Sequence, residues 1–144
     1  VTIVMVMSTD KDIVETTLNS KWEPIDQRYS WQQVKSMELN VSDRATIVVL
    51  AHGNGSEIGN ANPGEIDIDA STFLALIQSN MDAHTTPSSV YISTCGPGIA
   101  EFAANVRLTA EQNDVWKNTR IFGHNDPVSG PVPPPNDMSW TEIF

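Results

Sequence analysis

Three short runs of β-branched and apolar residues, each stopping at glycine, constrain this chain more than any other feature of it. They read Thr46-Ile47-Val48-Val49-Leu50-Ala51 before His52-Gly53, Val90-Tyr91-Ile92-Ser93-Thr94 before Cys95-Gly96, and Thr119-Arg120-Ile121-Phe122 before Gly123-His124. Runs of this kind fold as buried strands that feed tight turns. A fourth run, Val1–Met7, is far shorter than the roughly 20 apolar residues that span a bilayer. It also lacks the basic flank of a signal peptide, and it reads as a first core strand.

Helical signals alternate with these strands. Thr9-Asp10-Lys11-Asp12 places a capping hydroxyl three residues before an acid, starting a helix with Ile13, Val14, Thr17 and Leu18 on its apolar face up to about Ser20. Residues 22–44 follow neither period, and a short strand or hairpin followed by a loop is expected there. Ser56–Asn60 and Gly64–Ile68 suit a hairpin projecting from the sheet edge. Asp69 then caps a helix whose Ala70, Phe73, Leu74, Ile77 and Met81 form one apolar stripe. Pro97 fits the first turn of a further helix, with Ile99, Phe102, Ala103 and Val106 as its buried face. A second helical stretch is expected through Glu111–Trp116. Strands alternating with helices imply an α/β three-layer sandwich, a mostly parallel central sheet flanked by helices, over residues 1–126. Five of the nine prolines lie between Pro127 and Pro135. Residues 127–144 are therefore expected as a Pro-rich, polyproline-like C-terminal tail, anchored at its far end by Trp140, Ile143 and Phe144.

The net charge of −10 argues against nucleic acid as a partner, because basic patches supply affinity for a phosphate backbone. A basic or neutral partner is easier to accommodate, and no apolar segment suits a membrane. The chain opens on Val1 rather than Met, as expected of a processed or trimmed piece of a longer protein. With a single cysteine there is no internal disulfide, so Cys95 is either a small buried hydrophobe or a reactive thiol.

If the strands ending at His52 and Cys95 are parallel neighbours, both side chains leave the same carboxyl edge, where open α/β sheets place their ligands. An imidazole and a thiol brought together there are a candidate general base and nucleophile. The amino end of the helix after Cys95 would stabilise a thiolate. Backbone N–H groups at Gly53 and Gly96 would serve as an oxyanion hole.

These segments resemble the caspase-like cysteine peptidases: caspases, legumain, gingipain, clostripain, separase and the self-cutting domains of bacterial toxins. Their shared pattern is a strand ending in His-Gly, then a hairpin and a helix, then a strand ending in Cys. Here His52-Gly53-Asn54-Gly55-Ser56-Glu57-Ile58-Gly59 looks like the first strand end with its glycine-rich hairpin. Thr94-Cys95-Gly96-Pro97-Gly98 is similar to the nucleophile turn. Cys95 follows His52 at close to the roughly 50-residue separation found in caspases, and the resemblance covers about residues 1–124. It implies peptide-bond hydrolysis with Cys95 as nucleophile and His52 as proton-transfer residue, acting on a peptide or protein substrate. The segment around Cys95 is not the caspase pentapeptide, so a preference for Asp does not follow. Fewer residues follow the cysteine than in typical relatives. The far half of the sheet is thus expected to be missing, minimal or supplied by a partner domain or chain.

Other readings stand beside this one. A caspase-like module that binds or regulates without catalysis is the first, and a small α/β binding domain of unrelated ancestry is the second. Glu57 and Asp126 are candidate substrate-binding acids that would pair with a Lys or Arg before the scissile bond; their alternative is a solvated loop position. His124 ends a strand but is expected as an ordinary loop histidine, and His84 as a solvated one. His52, Cys95, His124 and Asp126 show no local metal-ligand spacing, so neither metal nor cofactor is expected.

Overall fold

Valine and isoleucine favour extended backbone, and the four apolar runs become β1 (Thr2–Val6), β3 (Thr46–Gly53), β6 (Ser89–Thr94) and β7 (Arg120–His124). The computed structural model describes the whole chain except Glu23, Pro63, Cys95, Pro97 and residues 125–129. The remaining strands are β2 (Gln27–Tyr29), β4 (Glu57–Gly59), β5 (Asp67–Asp69) and β8 (Trp140–Ile143). The α-helices are α1 (Lys11–Val14), α2 (Trp31–Lys35), α3 (Ala70–Ser79) and α4 (Ile99–Gln112), with one turn of 3-10 helix at Ser20–Trp22. The main sheet has the order β2-β1-β3-β6-β7-β8, parallel throughout except for β8. Central parallel strands bury both faces, and accordingly Ile47, Val48, Val49, Leu50 and Ala51 of β3 are all buried. The fold is α/β, a mostly parallel sheet flanked by helices, as the alternation of periods implies.

Strand order decides which face each connection covers. From β1 the chain steps one way to β2, and from β2 onward it steps the other way through β3, β6 and β7. Right-handed crossovers therefore send α1 to one face and α2, α3 and α4 to the other. Val34, Phe73, Phe102 and Val106 pack with Ile47, Val49 and Ile92 in the larger core. Ile13 joins Val48 and Leu50 in the smaller one. The face with a single short helix is filled by rings instead. Tyr91 stacks on Phe122 with centroids 4.2 Å apart, and the edges of Trp22 and Trp140 meet Tyr91 at 5.0 and 5.1 Å.

The C-terminal segment differs from a tail anchored only at its end. Val132 is buried and bridges Leu18, with hydrogen bonds to the backbone of Thr17 and Asn19. β8 pairs along its whole length with β7, closing the sheet with an antiparallel edge. Residues 130–144 thus pack into the domain, and the part of the sheet beyond β6 consists of β7 and β8.

Several local expectations are corrected. The first helix stops at Val14 rather than near Ser20, because the Arg28 guanidinium donates to the carbonyls of Val14 and Thr16. Those acceptors would otherwise need another helical turn. Its N-cap is Asp10 rather than Thr9, whose N–H goes to Asn60. Of the short strand or hairpin expected within residues 22–44 the short strand forms, β2 pairing in parallel with β1, but a helix follows it in place of a loop alone, Ser30 opening α2 with a capping box completed by Gln33. No second helix runs through 111–116, since Asp114 and Trp116 both take positive φ, which a helix cannot continue. Helix α4 begins at Ile99 after a left-handed Gly98; Pro97 lies outside the described residues. The hairpin and the Asp69-capped helix form as expected, with the Asp69 carboxylate accepting the Thr72 N–H. Among the described residues no helix is long and apolar enough to cross a membrane.

Phe73 of α3 and Phe102 of α4 meet edge to face at 5.5 Å, both fully buried. Truncating Phe102 to Ala should cost about 3–5 kcal/mol in urea denaturation. Leu108→Ala, on the exposed side of the same helix, should change stability by no more than about 0.5 kcal/mol.

Candidate functional site

The order β2-β1-β3-β6 reverses between β1 and β3, and such a reversal opens a crevice outside the carboxyl ends of the two strands. The segment leaving β1 carries Asp10 and Asp12 to that crevice, and β3 delivers His52. A buried network fixes the β1 exit. Ser8 donates to Asn60 Oδ1 at 2.6 Å, Thr9 N–H to the same oxygen at 2.9 Å, and Asn60 in turn donates to Thr9 Oγ1 and Glu65. Asp10 accepts the Ala61 N–H at 2.7 Å. Hydrogen bonds from the hairpin connection thus hold Asp10 where β1 meets β3, and His52 holds Asp12 there.

His52 Nε2 lies 2.9 and 3.1 Å from the two carboxylate oxygens of Asp12 and 3.5 Å from Asp10 Oδ2. A carboxylate only accepts, so the neutral ring carries its proton on Nε2 and its lone pair on Nδ1. Nδ1 is then the atom through which the ring can take a proton. The side chain of His52 is half-buried, Asp10 similarly so, and Asp12 largely exposed. Donor atoms of Asp10, Asp12 and His52 all lie within 4.8 Å of one another, so these three could also hold a metal ion. Neither aspartate was singled out from the sequence, where both read as the start of a helix. The available signal was their position just past a strand that neighbours β3.

Cys95 and Asp126 lie outside the described residues. The residues beside position 95 are described. Thr94 pairs with Ala51, the residue before His52, in the parallel ladder of β3 and β6. Gly96 lies against Gly53, so that a Cβ on Gly96 would fall 1.5 Å from the Gly53 carbonyl oxygen. A Cβ on Gly53 would in turn fall 2.7 Å from Ile58. Two of the predicted site glycines are therefore in backbone contact. The Gly96 N–H donates to Thr94 Oγ1 at 3.3 Å, a long bond that an oxyanion would have to displace. Glu57 sits exposed on the hairpin, lining with His52 a polar cleft of about 230 Å3.

His124 is not a loop residue. It is the last residue of β7, 1% exposed, with its ring 5.5 Å from that of Trp140. The ladder between β6 and β7 runs from Ser89–Arg120 to Tyr91–Phe122, and beyond it the Thr94 N–H turns to His124 Nε2 at 3.2 Å. His84 is exposed, as expected.

A second cavity, about 320 Å3, opens between the ends of β3 and β6. Leu50, Ala51, Ser93 and Thr94 line it together with the α1 segment and residues 130–131. No family model, curated protein or solved structure matches this chain.

The Gly53–Gly96 contact generates a stability prediction. Gly96→Ala must push two backbones apart, so it should cost about 3 kcal/mol or more, the upper end for overpacking. Urea denaturation measures this; a loss below about 1 kcal/mol would mean that the turns part freely.

Proposed function

We propose that the protein is a cysteine endopeptidase of caspase-like character, with Cys95 as nucleophile and His52 as proton-transfer residue. One observation carries the reading. Thr94, just before position 95, is the ladder partner of Ala51, just before His52, and Gly96 lies against Gly53, at the carboxyl edge of the strand next to the point where the strand order reverses. Asp12 is a positioning residue in this scheme. By accepting Nε2–H it keeps the lone pair on Nδ1, and its charge stabilises the imidazolium formed when the ring takes the thiol proton. The thiolate attacks the scissile carbonyl, the imidazolium returns the proton to the leaving amine, and water hydrolyses the thioester. The non-catalytic reading draws on the Gly96 N–H, which is occupied by Thr94 Oγ1.

Thiol reactivity separates the two. Native protein should be alkylated by iodoacetamide at Cys95 faster than a simple thiol at neutral or mildly acidic pH, because a paired thiol falls below its ordinary value of about 8.5. His52→Ala should slow that reaction and lower peptide cleavage by about 10²–10⁴-fold. Asp12→Asn should lower cleavage less than His52→Ala does, and Cys95→Ala should abolish it. A thiol that reacts only after denaturation would overturn the peptidase reading in favour of a binding module.

A further inference from the structure

A peptidase selects its substrate through the side chain next to the attacked carbonyl, and that side chain needs a recess reaching both strand ends of the site. The cleft on the hairpin is lined by no residue of β6. The cavity of about 320 Å3 is bounded by Leu50 and Ala51, just before His52, and by Ser93 and Thr94, just before position 95. Its volume is at the small end for ligand cavities, enough for one long side chain.

The chemistry of its walls is uneven. Ile13 and Leu50 line it as buried apolar groups, Ser93 adds a hydroxyl, and Asp12 and Glu15 line it as exposed carboxylates. No Lys, Arg or His lines it among the described residues. The nearby Arg28 is tied to the carbonyls of Val14 and Thr16 and lines a different recess. An apolar stem below a cationic head matches a side chain that buries methylenes and keeps its charge at the rim. A carboxylate there would face two like charges in a protein of net charge −10. A purely aliphatic side chain would bring no counter-charge to Glu15, since Asp12 already meets His52.

We infer that this cavity is the subsite for a Lys or Arg immediately before the scissile bond, with Glu15 and Asp12 as the selecting carboxylates. The assignment rests on the peptidase reading, and it differs from a selection by Glu57, which lines the hairpin cleft. Because Asp12 also holds His52, Glu15 is the residue through which selectivity can be tested without disturbing the histidine.

Acyloxymethyl ketone peptides report on both claims. The Cys95 thiolate displaces the carboxylate leaving group, forming a carbon–sulfur bond as the carbon–oxygen bond breaks, and mass spectrometry locates the adduct. Probes carrying Lys or Arg beside the warhead should label Cys95 at least about tenfold faster than those carrying Leu or Asp. Glu15→Gln should narrow the Lys-to-Leu ratio about 1.5- to fivefold, the range for one exposed ion pair, and Glu15→Lys should reverse it. Glu38→Gln, at an exposed position outside the cavity, should leave the ratio unchanged. Labelling led by Leu or Asp, or a ratio unmoved in both Glu15 variants, would overturn the subsite and leave the peptidase standing. If no probe labels Cys95 in the native protein, the peptidase reading falls and the subsite with it.

Discussion

The contact between Gly53 and Gly96 is the constraint on which the carboxyl edge depends. A parallel ladder brings Ala51 and Thr94 side by side, but ladders normally splay where strands end, since the turns that follow carry side chains. Here the two residues that meet, Gly53 and Gly96, have no Cβ, and the backbones close to a distance that no other residue type permits at position 96. Gly98 is required for a different reason: a Cβ there would make only ordinary contact, 3.4 Å from the Gly55 nitrogen, but its φ of 78° lies in the left-handed region. The glycines after His52 and those after position 95 are therefore one structural feature, not two separate turn signals. They hold the end of β3 against the start of the α4 connection.

A second constraint comes from the winding. Because only the β1-to-β2 step runs in the opposite direction, one face of the sheet receives three helices and the other a single short one. A sheet face left with one short helix would expose valine, leucine and tyrosine to water at about 25 cal/mol per Å2. The chain covers it with large rings and with the returning segment, whose Val132 is buried beneath Leu18. Trp22 and Trp140 both donate their indole N–H to the Pro133 carbonyl, so prolines without donors of their own supply acceptors to rings that need them. This cover is thinner than a helical layer. The cavity between β3 and β6 opens beside it, lined by residues of the α1 segment and of the returning chain.

Much of this architecture was legible in the residues. The strands β1, β3, β6 and β7 are written in β-branched runs, the α3 stripe in its spacing, and the hairpin in the glycines flanking Ile58 and Ile68. What was not legible depends on partners distant in sequence. Gln27-Arg28-Tyr29 has no apolar pattern, since an edge strand with mostly exposed side chains needs none; it is a strand because β1 pairs with it. The helix after Asp10 has a periodic face that continues past Val14, yet Arg28 ends it by taking the carbonyls first. Asp10 and Asp12 read as ordinary first-turn acids, and only the order of strands reveals that they leave the sheet beside His52.

The two histidines that end strands show why position alone could not separate them. His52 and His124 both close apolar runs at the carboxyl edge, and by sequence either could serve a cleft. Their hydrogen bonds divide them. In β3 the chain turns into a hairpin at His52, so its ring faces the crevice and gives Nε2–H to an exposed carboxylate. In β7 the ladder to β6 ends early, leaving the Thr94 N–H without a strand partner, and His124 Nε2 accepts it inside the core. The first arrangement puts the proton on Nε2 beside solvent-accessible charge, and the second puts it on Nδ1 in a ring that is almost wholly buried. In the proposed reading, His52 is the one that exchanges protons with a ligand. The other substitutes for a missing rung of the sheet and keeps β6 in place up to the residue before position 95.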